Sequence, residues 1–94
     1  MSKIVTSSKF KRAFRKFARR NTQLQARIEK AIAELSDDVF DPSLGTHKLE
    51  GKLSGLLSCS CGYDCRIVFA IETEEESGET VIVLLDVGSH DEVY

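Results

Sequence analysis

The sequence predicts a single α+β domain in which an antiparallel sheet carries a helical hairpin on one face. Two apolar stripes at helical spacing occupy residues 9–35, and apolar segments typical of strands follow residue 53. The chain has 94 residues, which is too short for a second domain. The predicted order is β-α-α-β-β-β, and we treat residues 1–94 as one domain.

The helical hairpin is predicted from residues 4–35. Ile4-Val5-Thr6 is a short β-prone segment, and Ser7 or Ser8 offers a hydroxyl that can cap the next helix. The stripes over residues 9–20 and 23–35 are separated by about two residues, so the helices must lie antiparallel. We expect the phenylalanines of the first stripe in the core: Phe10, Phe14 and Phe17.

Three strands are predicted in the second half of the chain. They cover residues 53–60, 63–71 and 80–87, and the last is almost continuously apolar, as expected of a central strand. An acidic, glycine-containing loop separates the second from the third. Few residues follow Gly88, so no further helix is expected.

The composition excludes several classes of protein. With 41% hydrophobic and 30% charged residues the chain is too apolar for disorder, and no segment approaches the ~20 apolar residues of a membrane span. The first ten residues lack the apolar segment of a secretory signal. Three cysteines cannot close a complete disulfide framework. We therefore expect a reduced, cytoplasmic protein with no membrane partner.

Charge is distributed very unevenly along the chain. Residues 1–35 hold ten Lys/Arg and two Glu, a balance of +8, whereas residues 36–94 hold three Lys/Arg and thirteen Asp/Glu, a balance of −10. Such asymmetry indicates a basic surface for a polyanion or an acidic partner, although a solvated helix face against an acidic sheet would look the same. The basic residues of the first helix that would meet such a partner are Lys11, Arg12, Arg15 and Lys16.

The two histidines are the first candidates for chemistry. His47 follows Gly45-Thr46 before the first long strand, and His90 follows Gly88-Ser89 after the last. Catalytic groups concentrate at such loop ends, and histidine can take or give a proton near pH 7. If the two converge they can supply the base and the acid of a phosphodiester cleavage. The alternative is two unrelated surface histidines.

Three cations stand near one histidine in an otherwise acidic half: Lys48, Lys52 and Arg66. Arg66 should lie on the sheet face opposite Ile67, where its planar fork can bind a phosphate. A structural salt bridge is the alternative. Asp64, two residues earlier, fits a turn residue as well as a catalytic one.

The cysteines form a weak metal-binding pattern. Cys59, Cys61 and Cys65 read C-x-C-x₃-C, whereas zinc sites normally have four ligands in pairs such as C-x₂-C. We interpret them as small buried hydrophobes, with no metal site.

The second half of the chain resembles the RelE/ParE superfamily of toxins from bacterial toxin–antitoxin pairs. The residues involved are HKLEGKLSGLLSCSCGYDCRIVFAIE and VIVLLDVGSHDEVY, within residues 47–94. Their pattern is His-x-Leu-x-Gly-x₃-Gly, then Asp-x-Arg-Ile-Val-Phe, then Val-Gly-x-His-x₃-Tyr. It is specific to the superfamily and to its RelE/YafQ-like branch.

The resemblance implies a ribosome-dependent endoribonuclease that cuts mRNA without a metal or small-molecule cofactor, leaving a 2′,3′-cyclic phosphate. It also implies an antitoxin partner. By position, the implied catalytic residues are His47, Asp64, Arg66, His90 and Tyr94, with Lys48 and Lys52 approximating a basic cluster that binds RNA. Tyr94 stands where the family carries an aromatic residue.

The chain departs from the YafQ-like pattern at two positions. Ser58 stands in place of an acid, and Ser60 in place of a histidine. Two alternatives are therefore kept: a ParE-like toxin that inhibits DNA gyrase, and a catalytically inactive relative that only binds an antitoxin. Neither alternative requires histidines, an arginine and a tyrosine to converge.

Overall fold

The computed structural model describes residues 2–94 as three helices and five strands. In chain order they are β1 (Lys3–Thr6), α1 (Ser8–Phe17), α2 (Thr22–Asp37), β2 (His47–Lys48), β3 (Leu57–Ser60), β4 (Arg66–Thr73), β5 (Thr80–Gly88) and α3 (His90–Val93). The α+β class and the helical hairpin are as predicted. Within residues 2–94 no helix is both long enough and apolar enough to cross a bilayer.

Side-chain caps set where the two long helices begin. Ser7 Oγ accepts the amide of Phe10 at 3.0 Å, and Asn21 Oδ1 accepts the amide of Leu24 at 3.0 Å. Each cap satisfies an amide that has no partner within its own helix. The predicted cap at Ser7 or Ser8 is therefore resolved in favour of Ser7.

The sheet is mixed, and the prediction of a purely antiparallel sheet was wrong. Its strand order is β1-β5-β4-β3-β2, with β1 parallel to β5 and every other pair antiparallel. Ile4 lies opposite Ile82 in the parallel pair. The apolar pattern of a single strand does not encode the direction of its neighbour, so the sequence could not reveal this pairing.

Three further elements differ from the prediction. Residues 53–56 do not extend the first long strand, because Gly51–Leu53 form a 3₁₀ turn and the strand starts at Leu57. His47 lies inside the short strand β2 rather than in a loop before a strand. The residues after Gly88 form the helix α3, although no helix was expected in so few residues.

The core lies between the hairpin and one face of the sheet. Phe69, Ile28 and Leu35 are fully buried and join β4 to α2. Phe10 is buried, while Phe14 and Phe17 are half-buried and pack against the same core. The three phenylalanines are thus packing residues, as the single stripe predicted.

Two cysteines form a disulfide, which contradicts the expectation of a fully reduced chain. Cys61 and Cys65 are joined across the turn between β3 and β4, whereas Cys59 is free and buried. The odd count excluded only a complete pairing of all three. A four-residue spacing across a tight turn places two of them within reach of each other. The expectation of buried cysteines is confirmed, since all three lie in the core.

Candidate functional site

The site lies on the sheet face away from the hairpin. Alternation along β3 sends Leu57 and Cys59 into the core and Ser58 to the other side. Val68 lies opposite Ser58 on β4 and shares that side. We call this surface, which carries Ser58 and Val68, the open face. α3 folds back over part of it and leaves the rest uncovered.

The start of α3 is fixed by a capping box. Ser89 Oγ accepts the amide of Glu92 at 3.3 Å, and Glu92 Oε1 accepts the amide of Ser89 at 3.0 Å. Hydrogen bonds to the Glu92 carboxylate from the backbone and the side chain of Ser89 lower the pKa of Glu92. Gly88 permits the tight fold, since a Cβ there would lie 3.2 Å from the Cβ of Glu92.

Asp64 ties the β3–β4 turn to α3. Its backbone is left-handed, with φ of 48°, and its Oδ1 accepts the backbone amide of His90 at 3.0 Å. The carboxylate therefore makes its hydrogen bond to the backbone of His90 and not to the ring. In this position Asp64 orients the helix that carries His90. Its neighbour Tyr63, at the tip of the turn, is 97% exposed.

His90 and Tyr94 form one side of the site. Their rings meet edge to face, with centroids 4.7 Å apart and planes at 83°. The hydroxyl of Tyr94 is hydrogen-bonded to Ser58 Oγ on β3. The His90 side chain is 64% exposed, and its Nδ1 lies 3.4 Å from Asp91 Oδ1.

His47 lies on the neighbouring edge of the same face. It stands opposite Ser58 in the β2–β3 pair, and side chains paired in this way share a face with Cβ atoms about 5 Å apart. Its Nδ1 is 3.1 Å from the carbonyl oxygen of Gly45. That oxygen can only accept, so Nδ1 carries the proton and Nε2 of the neutral ring is left as a base.

Arg66 lies at the end of β4, between Ser60 on β3 and Gly88 on β5. Its Nη1 donates to the carbonyls of Cys65 at 2.9 Å and Gly62 at 3.2 Å. All of its hydrogen bonds are made by this one nitrogen, and no carboxylate of residues 2–94 pairs with it. The salt-bridge alternative is therefore not what the structure shows. The remaining guanidinium donors can receive an anion.

The predicted lysines of the second half are not in the same cluster. Lys48 pairs with Leu57, so its side chain leaves β2 on the face opposite that of His47. Lys52 lies in the exposed 3₁₀ turn Gly51–Leu53. Lys48 is therefore not on the face that carries His47 and Ser58, and Lys52 lies in a turn outside the strands.

The basic residues of α1 form a separate surface. Its groove has a volume of about 690 Å³ and is lined by Arg12, Phe14, Arg15, Lys16, Arg19, Arg20 and Gln25. Lys11 lines a second, mostly apolar groove of about 420 Å³ beside it. Lys16 also borders a cleft shared with Glu92, so the end of this surface approaches α3.

The chemistry of Cys59 argues for a packing role. Burial raises the pKa of its thiol to about 12, and the charge of Glu34 acts in the same direction. The thiol is therefore neutral near pH 7 and is neither a nucleophile nor a thiolate ligand. Among residues 2–94 no cluster of His, Cys, Asp and Glu has the arrangement needed to hold a metal ion.

One residue of the site was visible in the sequence only as a departure from a pattern. Ser58 is fully buried, the one buried polar side chain recorded among residues 2–94, and it touches Tyr94. The signal was a serine inside a strand, flanked by the apolar residues Leu57 and Cys59. Its partner 36 positions away could not be read from local spacing.

The family comparison assigns the chain to a class, the small toxins of bacterial type II toxin–antitoxin systems. A family model described as "Bacterial toxin of type II toxin-antitoxin system, YafQ" matches residues 2–94. The chain belongs to this YafQ toxin family. The family-level prediction is thereby confirmed. No curated protein sequence matches the chain.

Solved structures share the fold at low sequence identity. YafQ from E. coli strain BL21(DE3) is 10% identical with a TM-score of 0.79, over 100% of this chain and 99% of that one. A metal-bound toxin from Helicobacter pylori is 24% identical with a TM-score of 0.75, over 100% of both chains. A DinJ–YafQ complex from E. coli gives 11% identity and a TM-score of 0.76, over 100% and 99%.

Proposed function

We propose that this toxin is a ribosome-dependent mRNA endoribonuclease of the bacterial cytoplasm. The observation that carries the proposal is the open-face cluster, in which His47 and His90 flank the Ser58–Tyr94 pair and Arg66 has unpaired donors. A base, an acid and an anion-binding cation are the three groups that cleavage by an internal hydroxyl requires. Membership of the YafQ family supports the same conclusion.

The proposed reaction assigns a role to each histidine. His47 Nε2 takes the proton of the ribose 2′-hydroxyl, and the 2′-oxygen forms a bond to the adjacent phosphorus. The bond from phosphorus to the 5′-oxygen then breaks, and that oxygen takes a proton from the His90 imidazole. The products are a 2′,3′-cyclic phosphate and a free 5′-hydroxyl. The assignment follows from the contact of His47 Nδ1 with the Gly45 carbonyl, which leaves Nε2 free, and from the position of His90 against Tyr94, on the other side of the Ser58–Tyr94 pair.

Three further residues support the two histidines in this proposal. Arg66 stabilises the negative charge that develops on the phosphoryl oxygens. Asp64 fixes the backbone of His90. Tyr94 packs on the His90 ring and, being 41% exposed, also offers an aromatic surface to a nucleotide base. Protein groups thus fill each role, and the proposed reaction uses no metal and no other cofactor.

Binding to the ribosome is proposed to use the basic residues outside the cluster. The exposed α1 cations Lys11, Arg12, Arg15 and Lys16 can contact ribosomal RNA, and Lys48 and Lys52 can contact RNA at the β2 edge of the sheet. A cognate antitoxin is the second proposed partner, as the relative in the DinJ–YafQ complex is paired with one. An antitoxin with acidic flanks would complement the charge of the hairpin.

In vitro translation with primer extension on the message tests the activity. The wild-type toxin should stop primer extension at discrete positions in the message only when ribosomes are present. His47→Ala and His90→Ala should each lower the cleavage rate by ~10²–10⁴. Tyr63→Phe is the control, because it alters an exposed tyrosine outside the cluster.

Four outcomes would contradict the proposal. Cleavage by the His47→Ala, His90→Ala double variant at the wild-type rate would remove the histidines from the mechanism. Toxin dialysed against EDTA, then added to ribosomes in magnesium buffer, should retain its activity, and its loss would implicate a bound metal. If growth arrest occurs without RNA cleavage, the gyrase-inhibiting alternative is favoured. If the chain binds antitoxin without arrest, the inactive alternative is favoured.

A further inference from the structure

The hydrogen bond between Ser58 and Tyr94 joins the middle of the sheet to the end of α3. Ser58 is fully buried, and buried polar side chains in folded proteins are almost always paired. Its partner is the Tyr94 hydroxyl, from a residue 36 positions later. Loss of this contact would leave the serine hydroxyl without a partner inside the protein. The contact therefore favours a single placement of Tyr94.

Tyr94 transmits that placement to His90. The two residues lie four positions apart, and their rings meet edge to face with centroids 4.7 Å apart. This is a favourable geometry for aromatic rings. A helix of four residues is too short to hold its own shape, so its side chains depend on outside anchors. Asp64 and Ser89 hold the start of α3, and Ser58 holds the far end through Tyr94.

We propose that Ser58 is a positioning residue that, through Tyr94, holds the His90 imidazole in place over the open face. The inference deepens the proposed endoribonuclease function and rests on it for its catalytic meaning. Ser58 touches neither the substrate nor a reacting atom in this account. It fixes the orientation of the group that donates the proton, and small misplacements of such groups reduce rates strongly.

A measurement that needs no activity tests the structural link. The chemical shifts of the His90 imidazole protons depend on the nearby Tyr94 ring. Tyr94→Ala has no ring at that position and therefore gives the reference shifts. In Ser58→Ala and in Tyr94→Phe these resonances should move toward that reference, while those of His47 stay in place. Tyr63→Phe, which removes a hydroxyl at an exposed turn, should leave both histidines unchanged. Wild-type His90 resonances in both Ser58→Ala and Tyr94→Phe would overturn the inference.

Kinetics then separate positioning from mere stability. We expect Ser58→Ala and Tyr94→Phe each to lower kcat by about 10- to 100-fold with KM within about twofold. The double variant should be no slower than the slower single variant, because both remove the same contact. The limb of the pH–kcat profile set by the general acid should shift in both variants. Wild-type kcat in folded Ser58→Ala would overturn the proposal.

The resonance test and the kinetic test can fail independently, and each failure has its own meaning. Ser58→Ala changes a buried residue. If that variant does not fold, the His90 resonances in Tyr94→Phe decide whether the structural link exists. If the wild-type chain cleaves no RNA, the proposed function fails, but the His90 resonances still decide whether Ser58 orients that ring. If cleavage occurs and the resonances do not respond, only the positioning role fails.

Discussion

The guanidinium of Arg66 is oriented by the carbonyls of Gly62 and Cys65 in the turn that precedes it. Three acceptors, at 2.9–3.4 Å, all contact Nη1, so the guanidinium is oriented without being neutralised by a carboxylate. A planar fork held at one nitrogen presents its other donors to an incoming phosphate. The alternation along β4 placed this residue correctly from the sequence. The turn carbonyls that orient it belong to a conformation that only the structure reveals.

The first prediction concerns the geometry of this contact. Arg66→Lys keeps the charge but lacks the planar fork, so we expect cleavage to fall by ~10²-fold, almost as far as in Arg66→Ala. Single-turnover cleavage on ribosomes measures the effect, and circular dichroism confirms that both variants are folded. Full activity in Arg66→Lys would show that a point charge suffices and that the fork has no role.

Cys59 provides a second prediction, on stability against pH. Its pKa is raised to about 12 by burial, so the folded thiol keeps its proton while the unfolded thiol, with a pKa near 8.5, loses it. Its contribution is fully present below that unfolded value. Above it the free energy of unfolding should decrease by about 1.4 kcal/mol per pH unit until the folded thiol titrates.

Denaturant unfolding between pH 8 and 11 measures this slope. Cys59→Ala is the matched control, because every other titrating group is retained. The difference in slope between the two proteins isolates the thiol. Equal slopes in both proteins would mean that the buried thiol is not protonated as described.

At the scale of elements, the β3–β4 turn connects most of the site. It contains the Cys61–Cys65 disulfide, the left-handed residue Asp64 and the acceptors of Arg66. The sequence indicated a turn at Cys61-Gly62 and singled out Asp64 and Arg66. It could not show that the carboxylate of Asp64 binds the backbone of His90, because that contact spans 26 positions.

The third prediction is the contribution of the disulfide to stability. The short loop it closes corresponds to about 2 kcal/mol in the chain-entropy treatment. For a domain of this size, reduction should lower Tm by about 10 °C. The bridge joins only two of the buried core residues, so the reduced protein should still fold, as the proposed cytoplasmic location requires.

Thermal unfolding with and without dithiothreitol provides the measurement. The Cys61→Ala, Cys65→Ala variant should be insensitive to the reagent and should match the reduced wild type. An identical Tm for the oxidised and reduced wild-type proteins would argue against a bridge in solution. Cys59 is common to all samples and does not affect the comparison.

The elements also show why part of the fold was predictable. Helical periodicity gave both long helices to within a few residues, since their apolar stripes face a single core. The parallel pairing of β1 and the short helix α3 were missed. β1 is held at the sheet edge by its neighbour, and α3 is held by Asp64, Ser89 and Ser58. Tertiary contacts of this kind leave no periodic signal in a few residues.

At the scale of the whole molecule, charge is separated between the hairpin and the sheet. The acidic loop between β4 and β5 lies at the opposite end of β4 from Arg66. The strand between them is eight residues long, about 26 Å at the usual rise. A polyanion is therefore repelled at that end of the sheet and attracted to α1 and the site. The sequence predicted that positive and negative charges are separated, and the fold determines which surface carries each.

The fourth prediction compares two pairs of substitutions that change net charge equally. Arg12→Ala with Arg15→Ala removes two cations from the α1 groove and should weaken ribosome binding. The slope of log affinity against log salt concentration should decrease by the contribution of about two phosphate contacts. Lys3→Ala with Lys30→Ala removes two exposed cations elsewhere and should change binding little. Equal effects in the two pairs would mean that only net charge matters.

The parallel pairing of β1 with β5 has a consequence for the order in which the protein can form during its own synthesis. The edge strand near Ile4 must wait for its neighbour near Ile82, so the sheet cannot assemble progressively from the first residue. Closing so long a segment is entropically costly, and distant pairings slow folding. A nascent chain that ends before β5 also lacks α3 and His90, which follow that strand. If the proposed function holds, the toxin cannot act on the ribosome that makes it until nearly the whole domain has been translated.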